Sequence, residues 1–170
     1  MPSRPHHPPA RARSRRRPRP IDFEGVSCLF WAPPPGTEPI ILANVGDAIG
    51  FVFGLFELPM EDAALLLLDA RRRLVGVILD PPPDIDCVTE WAQSTDGVAE
   101  FCQMILVVVE GDIADGPPRE RESCVFEAIS RQALEHNVLL LDMIFANPDK
   151  VRSMAYATDP NCVWTEPFDQ

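Results

Sequence analysis

Two unbroken apolar runs, separated by a short polar segment, constrain the fold of this chain more than any other feature. The runs are Ala63–Leu68 and Leu74–Leu79, and residues 69–73 between them read Asp-Ala-Arg-Arg-Arg. Two such runs joined by a tight polar turn predict a β-hairpin. Because neither run alternates with polar residues, both strands are expected to be covered on both faces. The chain must therefore supply helices for two sides of one sheet.

Further apolar and periodic segments predict the rest of the domain. Strands are predicted at 26–31, 104–109, 138–146 and 151–157, and helices at 44–58, 84–92 and 119–136. Helices that alternate with buried strands are typical of a mixed β-sheet flanked by helices, so the predicted class is α/β. The predicted order is a strand and a helix, followed by β-β-α-β-α-β-β.

The helix predicted at 44–58 carries its own start signal and an unusual glycine pattern. Asn44 is a suitable N-cap, and Pro59 follows the predicted end. Gly46, Gly50 and Gly54 recur every four residues and therefore share one helix face. We predict that this face packs closely against the sheet.

Charge divides the chain into a basic arm and an acidic body. Residues 1–20 hold seven arginines and no acidic residue, which leaves eight basic against 26 acidic side chains, a net charge of −18, in the other 150 residues. Such a body repels nucleic acid and anionic membranes, so only the arm is a candidate for nucleic-acid contact. The alternatives for the arm are a disordered tail or a segment upstream of the true start codon. We assign 1–20 to the arm, 21–157 to a single α/β domain and 158–170 to an irregular tail.

The cysteines and the hydropathy of the chain indicate the cellular compartment in which it is expected. The five cysteines are an odd number without C-x-x-C spacing, which favours a reducing compartment over a disulfide scaffold. No apolar segment follows the Arg-rich start as a signal peptide requires. The longest apolar stretch, residues 43–58, includes Asp47 and Glu57 and is too short to span a bilayer. The sequence predicts a cytoplasmic protein without membrane association and leaves its oligomeric state open.

Several short motifs resemble the RadC-like branch of the JAB (JAMM) zinc-peptidase-like domains. A strand ending in Leu-Leu-Asp is matched at 67–69, an Ile-Leu-Val-type strand at 105–109, and a Gly-Ile-x-Leu-Leu-Asp-His-Ile stretch by Asn-Val-Leu-Leu-Leu-Asp-Met-Ile at 137–144. A strand ending near Ser is matched by Val-Arg-Ser-Met at 151–154. The resemblance covers residues 57–156 and implies a layered architecture like that of cytidine deaminases.

The chain departs from this family where the family binds its metal. The family's His-x-His-Pro-Ser-Gly-Asp signature follows the third strand, but residues 109–118 here read Val-Glu-Gly-Asp-Ile-Ala-Asp-Gly-Pro-Pro. Both histidines are missing, Met143 replaces a further family histidine, and the family's metal-binding Asp falls near Glu122 and Ser123. Because a catalytic zinc needs about three protein ligands, we predict no zinc, no cofactor and no catalytic residue.

Four carboxylates near that point leave a different metal site open. Glu110, Asp112, Asp115 and Glu122 lie close together in sequence, and oxygen ligands suit magnesium or calcium. Their spacing is not that of an EF-hand loop. We interpret the segment as a solvated acidic loop, with a divalent-metal site as the alternative.

The remaining candidate residues point to no catalytic activity. His136 is expected at a helix C-terminus, where a cation is favoured, and no serine or cysteine of the body has another histidine as a possible base. No nucleophile elbow or phosphate-binding loop is present. Trp31, Trp91 and Trp164 are predicted to be packing residues.

Together these features predict a non-catalytic RadC-like domain that acts as an interaction or regulatory module with an unidentified protein partner. The first alternative is an enzyme, a divalent-metal-dependent hydrolase that uses the loop at 110–115 together with Glu122. The second alternative is nucleic-acid contact through the arginine arm. That contact would weaken with salt and vanish without residues 1–20.

Overall fold

A computed structural model of the chain describes residues 17–23, 25–94, 98 and 100–159. Its elements in chain order are β1 (Arg19–Phe23), β2 (Val26–Trp31), α1 (Val45–Leu55), β3 (Ala63–Leu68), β4 (Leu74–Leu79), α2 (Ile85–Ser94), β5 (Gln103–Val109), α3 (Glu120–Glu135), β6 (Leu139–Ala146), β7 (Val151–Ser153) and α4 (Met154–Thr158). The strands form a seven-stranded sheet in the order β1-β2-β4-β3-β5-β6-β7. Neighbouring strands are antiparallel except β5 and β6, which are parallel and connected through α3. The predicted α/β class with a mixed sheet is confirmed.

The hairpin of β3 and β4 forms as predicted, and one carboxylate shapes its turn. Oδ1 of Asp69 accepts hydrogen bonds from the backbone N–H of Arg71 (2.8 Å) and of Arg73 (3.0 Å). Oδ2 of Asp69 accepts a further bond from Nε of Arg73 at 2.6 Å. Arg72 completes the turn in the left-handed conformation, with φ of 59°. The side chain of Asp69 is buried beneath this turn.

Both faces of the central strands are covered, as the unbroken apolar runs predicted. Helix α1 packs on the face that contains Leu66 and Ile105, whereas α2 and α3 pack on the face that contains Leu65 and Met104. All four side chains are 0% exposed. Consecutive residues of each strand therefore enter two separate cores.

The start of α1 and the end of α3 follow the predicted signals. The Asn44 side chain caps α1 and accepts a hydrogen bond from the backbone N–H of Asp47 at 2.9 Å. Helix α1 ends at Leu55 rather than at residue 58. Helix α3 ends before Asn137, whose φ of 58° stops the helix.

The strand predicted at 151–157 is wrong beyond its third residue. Strand β7 ends at Ser153, and the short helix α4 follows. The reason is local, because Oγ of Ser153 accepts a hydrogen bond from the backbone N–H of Tyr156 at 3.1 Å and so acts as an N-cap.

The packing predicted for the glycine face of α1 is also wrong. Gly46, Gly50 and Gly54 are exposed, and the fully buried residues of this helix are Ala48 and Val52. Because α1 is apolar around most of its circumference, small residues did not identify its buried side.

The sheet begins inside the segment assigned to the arm. Strand β1 starts at Arg19, whose guanidinium carbon lies 5.2 Å from the ring centroid of Phe30. Residues 1–16 lie outside the described residues, and so do residues 160–170 of the predicted tail. Nucleic-acid contact by the arm therefore stays a prediction.

We expect Gly76→Ala in β4 to destabilise the protein and Gly50→Ala in α1 to stabilise it. A Cβ at Gly76 would lie 2.6 Å from Cε2 of Phe30, whose ring is held against Trp91 at 5.0 Å between centroids. Overpacking of this kind costs about 1–3 kcal/mol. A Cβ at Gly50 meets no described atom within 4 Å, and replacing an exposed helical glycine gains about 0.5–1 kcal/mol. Chemical unfolding of both variants measures the two effects, and equal unfolding midpoints would contradict the packing around Phe30.

We expect the contribution of Asp69 to stability to depend on pH. Burial alone would raise the pKa of Asp69, but hydrogen bonds from Arg73 and Arg71 and the charge of Arg73 outweigh it and lower the pKa below 3.8. The stabilisation is therefore present above the ordinary carboxyl pKa and disappears as pH falls through the lowered value. Asp69→Asn should destabilise the protein at pH 7, and the difference from the native chain should shrink below about pH 4. Thermal unfolding between pH 3 and 7 tests this, and a difference that is constant with pH would contradict it.

Candidate functional site

The connections that follow the two parallel strands lie against each other at one end of the sheet. Val109 at the end of β5 is paired with Ala146 at the end of β6. Residues 110–119 lead from β5 to α3, and residues 147–150 lead from β6 to β7. In open α/β sheets, ligands commonly bind outside the carboxyl ends of parallel strands. This is also the region in which the sequence placed the four candidate carboxylates.

Asn147 joins the two connections. Its side-chain amide donates hydrogen bonds to the carbonyl oxygens of Glu110 at 3.1 Å and of Gly111 at 3.4 Å. Its Oδ1 accepts from the backbone N–H groups of Asp149 (2.9 Å) and Lys150 (2.8 Å). The loop after β5 is thus fixed to the turn after β6.

Lys150 neutralises the first of the candidate carboxylates. Its Nζ donates to Oδ1 of Asp115 at 2.6 Å and to the carbonyl of Ile113 at 3.3 Å. The hydrogen bond and the charge of Lys150, with a smaller effect of Arg152, lower the pKa of Asp115 below its ordinary value. Because the Asp115 side chain is 92% exposed, solvent screens this pair.

Arg152 neutralises a second candidate carboxylate in a much drier place. Its Nη1 donates to Oε2 of Glu122 at 2.9 Å, and both side chains are 10% exposed. The same oxygen of Glu122 accepts the backbone N–H of Arg119 at 2.7 Å, which closes the first turn of α3. The second guanidinium nitrogen of Arg152 donates to the carbonyl of Ala114. One side chain therefore connects β7, α3 and the loop after β5.

Asp142 anchors the adjoining strand and helix. It is fully buried in β6, and its Oδ2 accepts a hydrogen bond from Oγ of Ser153 at 2.5 Å. Its Oδ1 accepts the backbone N–H of Ala155 at 3.0 Å. These bonds position the end of β7 and the start of α4. Ser153 is thereby occupied in a structural role, as both an N-cap and a hydrogen-bond donor.

The four candidate carboxylates do not converge on one point. Asp115 and Glu122 are bonded to different cations, and Asp112 is exposed to solvent. Oε2 of Glu110 is buried and has no hydrogen-bond partner among the described residues. Within the described ranges, no group of three or more His, Cys, Asp or Glu side chains is arranged to hold a metal ion.

The described histidine and cysteines have other roles. Nε2 of His136 lies 3.0 Å from Oδ1 of Asp86, so this C-cap residue links α3 to α2. Burial and the charge of Asp69 raise the pKa of Cys102, which leaves its thiol a weak nucleophile at neutral pH. Burial, with the charge of Asp80, raises the pKa of Cys28 in the same way. The four cysteines within the described residues are all free thiols.

Three residues that link the connections after β5 and β6 were missed in the sequence. Asn147, Lys150 and Arg152 supply the amide and cationic groups, yet no pattern assigned a role to them, although Arg152 lies within the Val-Arg-Ser-Met match. A signal was available, because Lys150 and Arg152 are two of only eight basic residues in the acidic body and follow an Asn-Pro-Asp turn sequence.

The comparisons with known proteins do not assign the chain to a family. No family model matches the sequence, and no curated protein matches it significantly. Among the helices of the described residues, none has the length and apolar character needed to cross a membrane.

We expect Arg152→Met to destabilise the protein by about 3 kcal/mol, because it leaves the Glu122 carboxylate without its cation in a dry environment. Lys150→Met is the matched control, since its partner Asp115 is exposed, and little change in the unfolding midpoint is expected. Urea unfolding of both variants at pH 7 measures the difference. Equal midpoints for the two variants would show that the bonds of Arg152 to α3 and to the loop after β5 do not stabilise the protein.

Proposed function

We propose that this chain is a non-catalytic relative of the RadC-like JAB domains and acts as an interaction or regulatory module. The proposal combines the sequence resemblance over 57–156 with the chemistry of the connections that follow β5 and β6. One observation carries it: the guanidinium of Arg152 is bonded to Glu122, the carboxylate nearest to the position of the family's metal-binding Asp.

The position of the Arg152 guanidinium beside Glu122 supports the proposal that the metal site has been lost, for an electrostatic reason. Lys150 and Arg152 bring two positive charges to the segment that follows β5. These charges balance those of Asp115 and Glu122, so two of the four candidate carboxylates offer little net attraction to a divalent cation, above all in the dry surroundings of Glu122. Glu122 is already committed to one cation and to the N-terminus of α3, so it is a poor ligand for a second.

The hydrogen-bonded framework around these connections supports a retained role for the fold. Asn147, Asp142 and Arg152 have their polar groups bonded to the loop, to α4 and to α3. These contacts preserve the shape of the sheet end without assembling a nucleophile or a base. Because a fold alone does not define an activity, the proposal names a class of function and leaves the partner open.

The alternative of a divalent-metal-dependent hydrolase has one observation in its favour. The buried Oε2 of Glu110, which has no partner among the described residues, lies in the same loop as the exposed Asp112. A carboxylate oxygen without a hydrogen bond is costly to bury, and a cation would relieve that cost. The two hypotheses therefore differ in whether the chain binds a divalent ion, and the metal content can be measured directly.

The test is the metal content of the purified full-length chain after dialysis against zinc, magnesium and manganese. The full chain is used because a start at residue 21 would remove part of β1. We expect no ion above background in the native chain, and no change in Asp112→Asn or Glu110→Gln. One tightly held ion per chain that is lost in Asp112→Asn would overturn the proposal and favour the hydrolase.

A further inference from the structure

A groove with a volume of 510 Å³ lies between α3 and the end of α4. Its lining includes Phe126, Ser130, Arg131 and Leu134 from α3 and Thr158 from α4. Leu134 is 60% exposed, and the half-buried ring of Phe126 lines the same groove. The lining of the groove does not include Arg152 or the connections after β5 and β6, so the groove does not depend on whether that end of the sheet is catalytic.

We propose that residues 160–170 of the same chain fold back into this groove and place Trp164 against Phe126 and Leu134. The occupant is a segment of this chain that begins where the groove ends. Thr158 lines the groove and Asp159 caps α4, so the eleven residues that follow start at the groove itself.

The length of the segment fits the length of the groove. Trp164 lies five residues beyond Asp159, and an extended chain of that length spans about 17 Å. From Ser123 to Leu134, the outermost lining residues of α3, the helix rises by about the same distance. Trp164 can therefore reach any part of the groove without strain in the connection.

The composition of the segment fits the lining. Residues 160–170 read Pro-Asn-Cys-Val-Trp-Thr-Glu-Pro-Phe-Asp-Gln, with Val163, Trp164 and Phe168 available for apolar contact. Covering Leu134 with an aromatic ring removes exposed apolar surface from both partners.

Charge favours the same occupant. The groove lining has one cation, Arg131, and one carboxylate, Glu127; Arg131 is exposed and lies within ion-pair distance of no described carboxylate. The segment carries Glu166 and Asp169 and no basic residue. A second copy of the chain would be repelled, because both bodies carry a large net negative charge, whereas this segment brings two carboxylates that are already tethered beside Arg131.

The test is the solvent exposure of Trp164 in the full chain. Subtracting the fluorescence of a Trp164→Phe variant from that of the native chain isolates Trp164 from the packed Trp31 and Trp91. We expect the isolated emission to be blue-shifted and its acrylamide quenching to be at least about twofold weaker than that of a free tryptophan, because docking removes the ring from solvent.

Two leucine variants locate the shielding. Leu134→Glu should restore full quenching, because it places a charge in the groove. Leu139→Glu is the matched control, since Leu139 is 48% exposed at the start of β6 and does not line the groove, and it should leave quenching unchanged. Circular dichroism verifies that each variant is folded, and Ser130→Glu, which fills the groove and repels the acidic segment, replaces Leu134→Glu if that variant is not.

Three outcomes would overturn the proposal. In the first, Trp164 is fully quenched in the native chain. In the second, Trp164 is shielded but unaffected by the groove variants, which places it elsewhere. In the third, the shielding rises with protein concentration, which means that the segment occupies a second copy of the chain.

Discussion

The burial of β3 on both faces is the constraint from which the remaining layers follow. This strand hydrogen bonds to β4 on one edge and to β5 on the other, so it has no free edge. Its leucines enter two cores, and each core needs its own helical cover. Helix α1 covers one side, and α2 and α3 cover the other. The crossover through α3 then makes β5 and β6 parallel, which brings the connections after both strands to the same end of the sheet.

The sequence identified the elements whose signals are local. The hairpin of β3 and β4, the Asn44 cap and the end of α3 at Asn137 each depend on residues within a few positions of one another. Strand β1 was missed because Arg19 and Pro20 continue the Arg- and Pro-rich composition of the residues before them, and only pairing with β2 makes them a strand. The helix α4 was missed because its N-cap, Ser153, is oriented by a bond to Asp142 from another strand.

The site was harder to predict for a related reason. Acidic residues that are close in sequence suggested a common ligand, but what each carboxylate does depends on a cation from far along the chain. Glu122 and Arg152 are 30 positions apart, and Asp115 and Lys150 are 35 positions apart. The pattern of charges in the loop therefore resembles that of a metal-binding loop, although in the structure two of its members are paired with basic side chains. Only the order of the strands brings those basic side chains to the loop.

The two outer strands determine how this sheet can meet other β-structures. Strand β1 carries Arg19 and Asp22, and its Pro20 has no N–H to donate. Strand β7 is three residues long and is followed at once by a helix. Edge strands that are short, charged or interrupted by proline pair poorly with a strand of another chain. The sheet is therefore protected against edge-to-edge aggregation at both ends, although its interior strands are among the most apolar segments of the chain.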